Sequence, residues 1–495
     1  MFQTLKNAWK TQELKTKLLF TLVIVILYRI GANIPIPWVN PDIAAQFAAQ
    51  TSGTVLEYLS ILSGGAMSQA TLFALSVSPY ITASIVMQLL TIAIPKLEEL
   101  SKNGEEGKKV INRITRFVTV GLALVTAFGY TIMLISYGYT TFNVTANPVS
   151  IFKAGYGLQF LTMIACYCAG AALVMWLAEK INESGIGNGI SIILFVNILA
   201  GLPTTIVSLW NFASLPVKHA IDGGKVTFAS IAYPIFALMI VGLVVAATYF
   251  CVWFTNSERR IPVKYAKRVV GRKMYGGQSS NLPLKLNMSG VMPIIFANAI
   301  VTIPATIAAF ANRDGKSAFW NGVTNIFNVN KPLYIVINVG LLIAFAFFYI
   351  MISFNPVEVA NNIQNNGGAI PGRKPGRPTR EYIQKVLNRV TFLGALFLCI
   401  IAGVPMIMNA IISIPGIHNS IIAQLANVSK ETVAAYGNYL AYLTESGSDA
   451  VSAMSGISSL AFSGSSLLIV IGVALETVRE LEAHLTMRNY KGFLD

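Results

Sequence analysis

The sequence predicts an all-α polytopic membrane protein, and three observations lead to that fold class. The 495 residues are 54% hydrophobic and only 12% charged, with a mean hydropathy of +0.62; ordinary globular domains carry about a quarter charged residues. Apolar runs of about 20 residues, enough to cross a hydrocarbon core roughly 30 Å thick, recur along the chain. The connections between these runs alternate between strongly basic and poor in basic residues.

Ten runs qualify as spans, near 18–37, 75–94, 116–137, 157–178, 188–209, 230–254, 288–311, 333–354, 386–411 and 464–482. The first ends in polar, Pro-rich sequence and has no small-residue cleavage site, so it is expected to stay in the mature protein. Arg29, near its outer end, is expected to snorkel to the membrane surface. The second span is preceded by an awkward stretch, SGGAMSQATLFALSVSPYITASIVMQLL (Ser63–Leu90). Ser60, Ser63, Gly64, Gly65, Ser68 and Gln69 suit lipid poorly, and irregular backbone cannot face hydrocarbon. That part must lie against protein or in a water-filled funnel. From Leu75 the residues suit a spanning helix, and Pro79 is tolerable near its first turn.

The remaining elements are the connections. Lys6, Lys10, Lys15 and Lys17, then Lys96 to Arg116, Arg259 to Lys285 and Arg373 to Arg389 form the basic set; 38–58, 138–156, 211–229 and 312–332 form the other. The positive-inside rule then predicts a cytoplasmic N-terminus, and an even number of spans returns the C-terminus to the same side. Two basic connections are long: Ser257–Asn287 and Asn355–Arg389. Basic loops commonly do no more than fix topology or touch anionic lipid. Here Gly, Pro and alternating Val, Ile and Tyr predict folded protrusions, suited to docking on phosphates or an acidic protein face. The segment at about 412–463 is nearly uncharged and rich in Ser, Ala and Asn, and is expected to form an extracytoplasmic cap.

Several chemistries find no support. Cys166, Cys168, Cys251 and Cys399 all sit inside apolar runs, which implies no disulfide framework. The 3 histidines lack metal-ligand spacing, and no metal or cofactor is expected. No phosphate-cradling ATPase loop, H-E-x-x-H or G-x-S-x-G occurs, and GIGNGIS (Gly185–Ser191) lies between two spans and outside any βαβ unit. An intramembrane protease would need a nucleophile–base pair that is not evident. A secondary carrier usually needs acidic groups at mid-membrane, and none is evident there either; inverted repeats with broken helices are nevertheless a carrier device, so architecture alone leaves both a carrier and a channel open.

YRIGANIPIP (Tyr28–Pro37), LSGGAMSQATLFALSVSPYITASIVMQLL (Leu62–Leu90), WLAEKINESGIGNGISIILF (Trp176–Phe195), RRIPVKYAKRVVGRKMYGGQSSNLPLKLN and YKGFL (Tyr490–Leu494) resemble the SecY family, the channel subunit of the bacterial Sec translocon. The resemblance runs in order along nearly the whole chain apart from 412–463. It implies a protein-conducting channel and no enzyme: ten transmembrane helices in two inverted halves, a clamshell around an hourglass pore. The implied divisions are a cytoplasmic N-terminus (1–17), an N-terminal half (18–209, with a plug at about 56–72) and an external hinge (210–229). A C-terminal half (230–482, with cytoplasmic loops at about 255–287 and 355–389) and a cytoplasmic tail (483–495) complete the chain.

The resemblance also implies particular residues. The plug includes Ser63, Gly64, Gly65, Ala66 and Met67. The pore ring maps onto Val77, Ile81, Ile85, Ile190, Leu194, Val291, Ile295 and Ile469. Steps of four within 77/81/85, 190/194 and 291/295 put each set on one helix face. The lateral gate, between the second and third spans on one side and the seventh and eighth on the other, maps onto Thr82, Thr126 and Ile303, where Ile303 replaces a polar residue of some relatives. Partner docking maps onto Arg268, Arg272 and Lys273 in the first loop and Arg373 and Lys374 in the second, with Lys374 at a typical arginine position. Lys does not reproduce the bidentate geometry of Arg. The implied partners are the SecE and SecG subunits, the motor ATPase SecA, the ribosome, signal-peptide-bearing preproteins and membrane lipid.

Overall fold

The computed structural model describes residues 6, 8–40, 55–141, 155–221, 228–265, 268–270, 273–275, 279–288, 290–311, 318–327, 331–412 and 466–486. The expected cap at 412–463 falls almost wholly outside this set, as do the final nine residues (487–495) and residues 222–227 of the expected hinge.

Helices dominate. α1 (Gln12–Gly31), α2 (Val55–Leu62), α3 (Ser78–Ala93), α4 (Pro95–Lys102), α5 (Gly104–Ser136), α6 (Gly157–Ser184), α7 (Gly189–Ile221) and α8 (Phe228–Asn256) make up the first part. α9 (Met292–Ala311), α10 (Ala318–Ile326), α11 (Pro332–Ser353), α12 (Pro356–Asn365), α13 (Arg377–Ile412) and α14 (466–486) follow. The ten predicted spans correspond to α1, α3, α5, α6, α7, α8, α9, α11, α13 and α14. Five described helical stretches are long and apolar enough to cross a membrane on length and composition alone. Among the others, α1 carries Glu13, Lys15, Lys17 and Arg29 within its 20 residues.

Several boundaries move. α1 stops at Gly31, and Ala32 to Pro37 leave the helix. α3 begins at Ser78, later than Leu75, so Val77 is its N-cap and Pro79 lies in the first turn, where a missing N–H is harmless. α4, α11 and α12 also begin with proline, and at α12 the Asn355 side chain accepts from Val357 N at 3.1 Å. α3 and α4 meet at a bend of 102°. α7 runs on to Ile221 and α8 starts at Phe228, so helix occupies much of the expected hinge.

α5 packs on α3 and α6, α7 on α8, and α11 on α9 and α13; α9 also touches α2, α3 and α5. One large apolar core joins α1, α3, α6, α7, α9, α11, α13 and α14. The strands lie in the two long basic connections. β1 (Glu258–Tyr265) pairs antiparallel with β4 (Ser279–Lys285) and with β5 (Gly368–Ala369), and β2 (Arg268–Val270) pairs with β3 (Lys273–Tyr275).

Candidate functional site

The awkward stretch of the sequence occupies the middle of the bundle. From Ser63 to Val77 the chain runs in turns, broken by a bridge at Thr71 to Pro35. Gly64 and Gly65 take φ of +65° and +85°, as glycine does freely, and a Cβ on Gly64 would lie 3.0 Å from both Arg29 Nη1 and Asn197 Oδ1. Ala70 (φ +47°) and Ser76 (φ +51°) share that region, at about 1–3 kcal/mol each for residues with a Cβ.

Distant side chains hold this backbone. Asn197 Nδ2 of α7 donates to Leu62 O (2.8 Å), Tyr28 Oη (2.8 Å) and Ser76 Oγ (3.2 Å). Tyr130 Oη of α5 donates to Met67 O, and Tyr167 Oη of α6 to Ala70 O at 3.4 Å. Arg29 departs from the expectation of snorkelling: its Nη1 donates to Gly64 O at 3.2 Å, because the re-entrant chain brings an unpaired carbonyl to it. Tyr28 is fully buried and stacks on Phe73, centroids 5.4 Å apart. Backbone that lacks helical partners in a membrane must find side-chain donors, and four helices supply them.

Of the predicted ring residues, Val77, Ile81, Ile85, Leu194, Val291, Ile295 and Ile469 are buried in the main core, and Ile190 packs partly buried against it. Ile81, Leu194, Ile295 and Ile469 come from α3, α7, α9 and α14 and line one cavity of about 30 Å³, room for about one water. Leu59 and Leu62 of α2 line it too. α14 approaches so closely that a Cβ on Gly472 would sit 1.9 Å from Val291 Cγ2. Of the expected plug residues, Ser63, Ala66 and Met67 are buried; Ala66 joins the core that holds the ring.

At the predicted seam, α9 packs against both α3 and α5. Thr82 lines the cavity while its hydroxyl donates to Ser78 O at 3.0 Å. Thr126 donates to Leu122 O and Ala123 O of its own helix. Ile303 is 37% exposed, next to Pro304 inside α9. The polar groups that α9 presents to the cavity are Asn298 and Thr302, and Asn338 of α11 donates to Asn298 at 3.0 Å.

The two basic connections form one lobe. Ile261 and Val263 are the buried positions of β1, alternating as a strand requires. They pack with Leu284, Ala360, Ile363, Ile370 and Ile383. Arg268 and Lys273 stand on the paired strands β2 and β3; Arg272 lies outside the described residues. Arg373 and Lys374 are exposed in the turn after β5. The Arg373 guanidinium lies 5.4 Å from the Tyr382 ring, and Lys374 O accepts from Thr379 Oγ1 at 2.8 Å. Burial, then the Arg479 charge, holds the Lys285 ammonium below the usual lysine range, against an opposing pull from Glu258.

Sequence reasoning passed over Asn197, Tyr130, Asn298 and Thr302. It looked for charge within the spans, whereas the signal was neutral: an asparagine inside an apolar helix is a polar group in need of a partner.

Comparison with known proteins gives the family and the fold. A profile of the SecY family matches residues 71–426. The chain is 39% identical to "Protein translocase subunit SecY" of Streptomyces galbus, with 100% of both chains covered. It is also 39% identical to the protein of that name from Escherichia coli K12, over 81% of this chain and 86% of that one. The fold resembles a solved structure described as "The structure of a protein conducting channel", with TM-score 0.52, 16% identity, and 83% and 92% of the two chains covered. It also resembles one described as "The plug domain of the SecY protein stablizes the closed state of the translocation channel and maintains a membrane seal", with TM-score 0.54, 16% identity, and 94% and 92% covered. The molecule is a multi-pass membrane channel that conducts protein, a transporter and not an enzyme. The chain belongs to the SecY family of protein translocase subunits.

Proposed function

We propose that the chain passes unfolded secretory polypeptides across the cytoplasmic membrane and releases transmembrane segments sideways into lipid, with both termini in the cytoplasm. The observation that carries this reading is the meeting of Ile81, Leu194, Ile295 and Ile469, from four helices, at a cavity of about 30 Å³. With Val77, Ile85, Ile190 and Val291 they form the ring. A narrow aliphatic collar dewets, so ions face a barrier without any charged gate. The same featureless side chains fit around any polypeptide, and no catalytic group is needed.

In this reading residues 56–72, with Ser63, Gly64, Gly65, Ala66 and Met67 at their centre, are the plug. The halves 18–209 and 230–482 part at the seam of α9 with α3 and α5, where Thr82, Thr126 and Ile303 set the ease of opening. An apolar signal helix leaves through it because burial in lipid is favourable, by about 25 cal/mol per Å² of apolar area. SecE and SecG complete the complex. The basic lobe, through Arg268, Arg272, Lys273, Arg373 and Lys374, docks SecA or the ribosome, which supply the energy.

The test is reconstitution of the chain with SecE and SecA, following ATP-dependent protection of a signal-peptide-bearing preprotein from external protease. Protection that depends on the chain supports the reading. No protected product from active components overturns it.

A further inference from the structure

A groove of about 490 Å³ lies between α11 and α13, away from the constriction. It is lined by Phe347 of α11 and by Lys385, Asn388, Arg389, Phe392 and Leu393 of α13. Its volume falls within the roughly 300–1,000 Å³ of ligand-holding clefts. The α13 positions are related by steps of four (385/389, 388/392, 389/393) and so share a face. All five are exposed, while Leu387, Val390 and Thr391 between them are buried.

Polarity changes abruptly along that face. Lys385, Asn388 and Arg389 stand at one end; Phe392, Leu393, Leu396 and Ile400, all exposed, continue it. An uncovered apolar face of that length on a spanning helix belongs in hydrocarbon, so the border with the headgroup layer falls between Arg389 and Phe392. The depth of lipid phosphates is therefore the depth of two cations. No acidic residue lines the groove, and among the described residues neither Lys385 nor Arg389 has a carboxylate partner. Arg377, further toward the start of the same helix, has one in Glu381 at 3.0 Å.

We propose that this groove binds an anionic phospholipid. Arg389 and Lys385 hold its phosphate, Arg in the planar two-point manner that phosphate oxygens accept. Asn388 donates to a headgroup oxygen, and Phe347, Phe392 and Leu393 receive the upper acyl chains. A zwitterionic lipid brings the same phosphate but adds a cation to an already basic pocket, so the site discriminates on net charge. The site is independent of how polypeptide passes the constriction.

The test uses the full chain in phosphatidylcholine vesicles containing a minor fraction of phosphatidylglycerol, with F347W as a reporter in the groove. Its fluorescence, less that of the parent, is quenched by either lipid carrying brominated acyl chains. Brominated phosphatidylglycerol is expected to be favoured over brominated phosphatidylcholine by about tenfold, from about fivefold for each basic residue at the surface less the general attraction of the membrane. The preference falls to under about twofold in K385Q/R389Q and returns in K385R/R389K. Equal quenching by the two lipids, or a preference that survives K385Q/R389Q, overturns the proposal. So does loss of quenching by both lipids when co-purified membrane subunits are added, since the groove then belongs to a protein neighbour.

Discussion

The stretch from Leu62 to Ser78 and the lobe built from 258–285 and 356–383 are both departures from a helical bundle, and they satisfy their backbones in opposite ways. The lobe pairs N–H with C=O along β1, β4 and β5 and adds its own small apolar core. Of its basic side chains, Arg260 pairs with Glu258 and Arg377 with Glu381, while Arg373 and Lys374 stand exposed. The Leu62–Ser78 stretch pairs part of its backbone in short turns, such as Ala70 N to Met67 O and Thr71 N to Ala66 O, and takes further donors for its carbonyls from Asn197, Tyr130, Tyr167 and Arg29 on four helices. Self-sufficiency makes the lobe a rigid platform. In the proposed function, borrowed donors let this stretch act as a displaceable plug, because each bond can be exchanged without unfolding a helix.

The contrast can be broken at several points. Ile81→Gly, Ile190→Gly, Ile295→Gly and Ile469→Gly together remove the collar and are expected to raise resting ion conductance of bilayers containing the complex severalfold. Unchanged conductance with correct assembly rejects the gate assignment. Ile383→Ala opens the lobe core at a cost of about 2–5 kcal/mol. Hydrogen exchange should speed up in β1 and β4 while resting conductance stays as it was; a leak would mean that lobe and seal are one cooperative unit.

Asn197→Ala leaves Leu62 O unsatisfied, for about 1–3 kcal/mol. The expected readout is faster exchange at 63–67 and a small leak. Tyr130→Phe removes one of the two donors to Met67 O, leaving Ala70 N, and should give the same pattern at about 0.5–1.5 kcal/mol. Arg373→Ala with Lys374→Ala lies on an exposed turn and should move stability by less than about 0.5 kcal/mol, yet weaken SecA or ribosome binding most at low salt. A large loss of stability would show that the turn is structural.

Much was legible in the sequence because lipid imposes simple rules. Apolar runs located the helices, although α5 starts 12 residues and α13 9 residues before its run and α7 ends 12 residues beyond its own, and Pro79 suited a helix start since proline loses nothing there. The small residues at 63–65 announced backbone that could not face lipid. Val77 was harder. Its spacing of four from Ile81 reads as a helical turn, but the left-handed turn at Ser76 makes Val77 a cap that reaches the core from outside the helix.

By itself the sequence determined the all-α polytopic membrane class, the approximate spans, the alternation of charge and the need for a protected irregular segment. All of these follow from local composition measured against a uniform solvent. Only the tertiary structure decided which donors meet which carbonyls. It also brought Ile81, Leu194, Ile295 and Ile469 to one cavity, and it paired Tyr265 of one basic loop with Gly368 of the other, 103 residues further along the chain. Those are matters of long-range packing, where the partner of Asn197 lies 135 residues away and no local pattern encodes it.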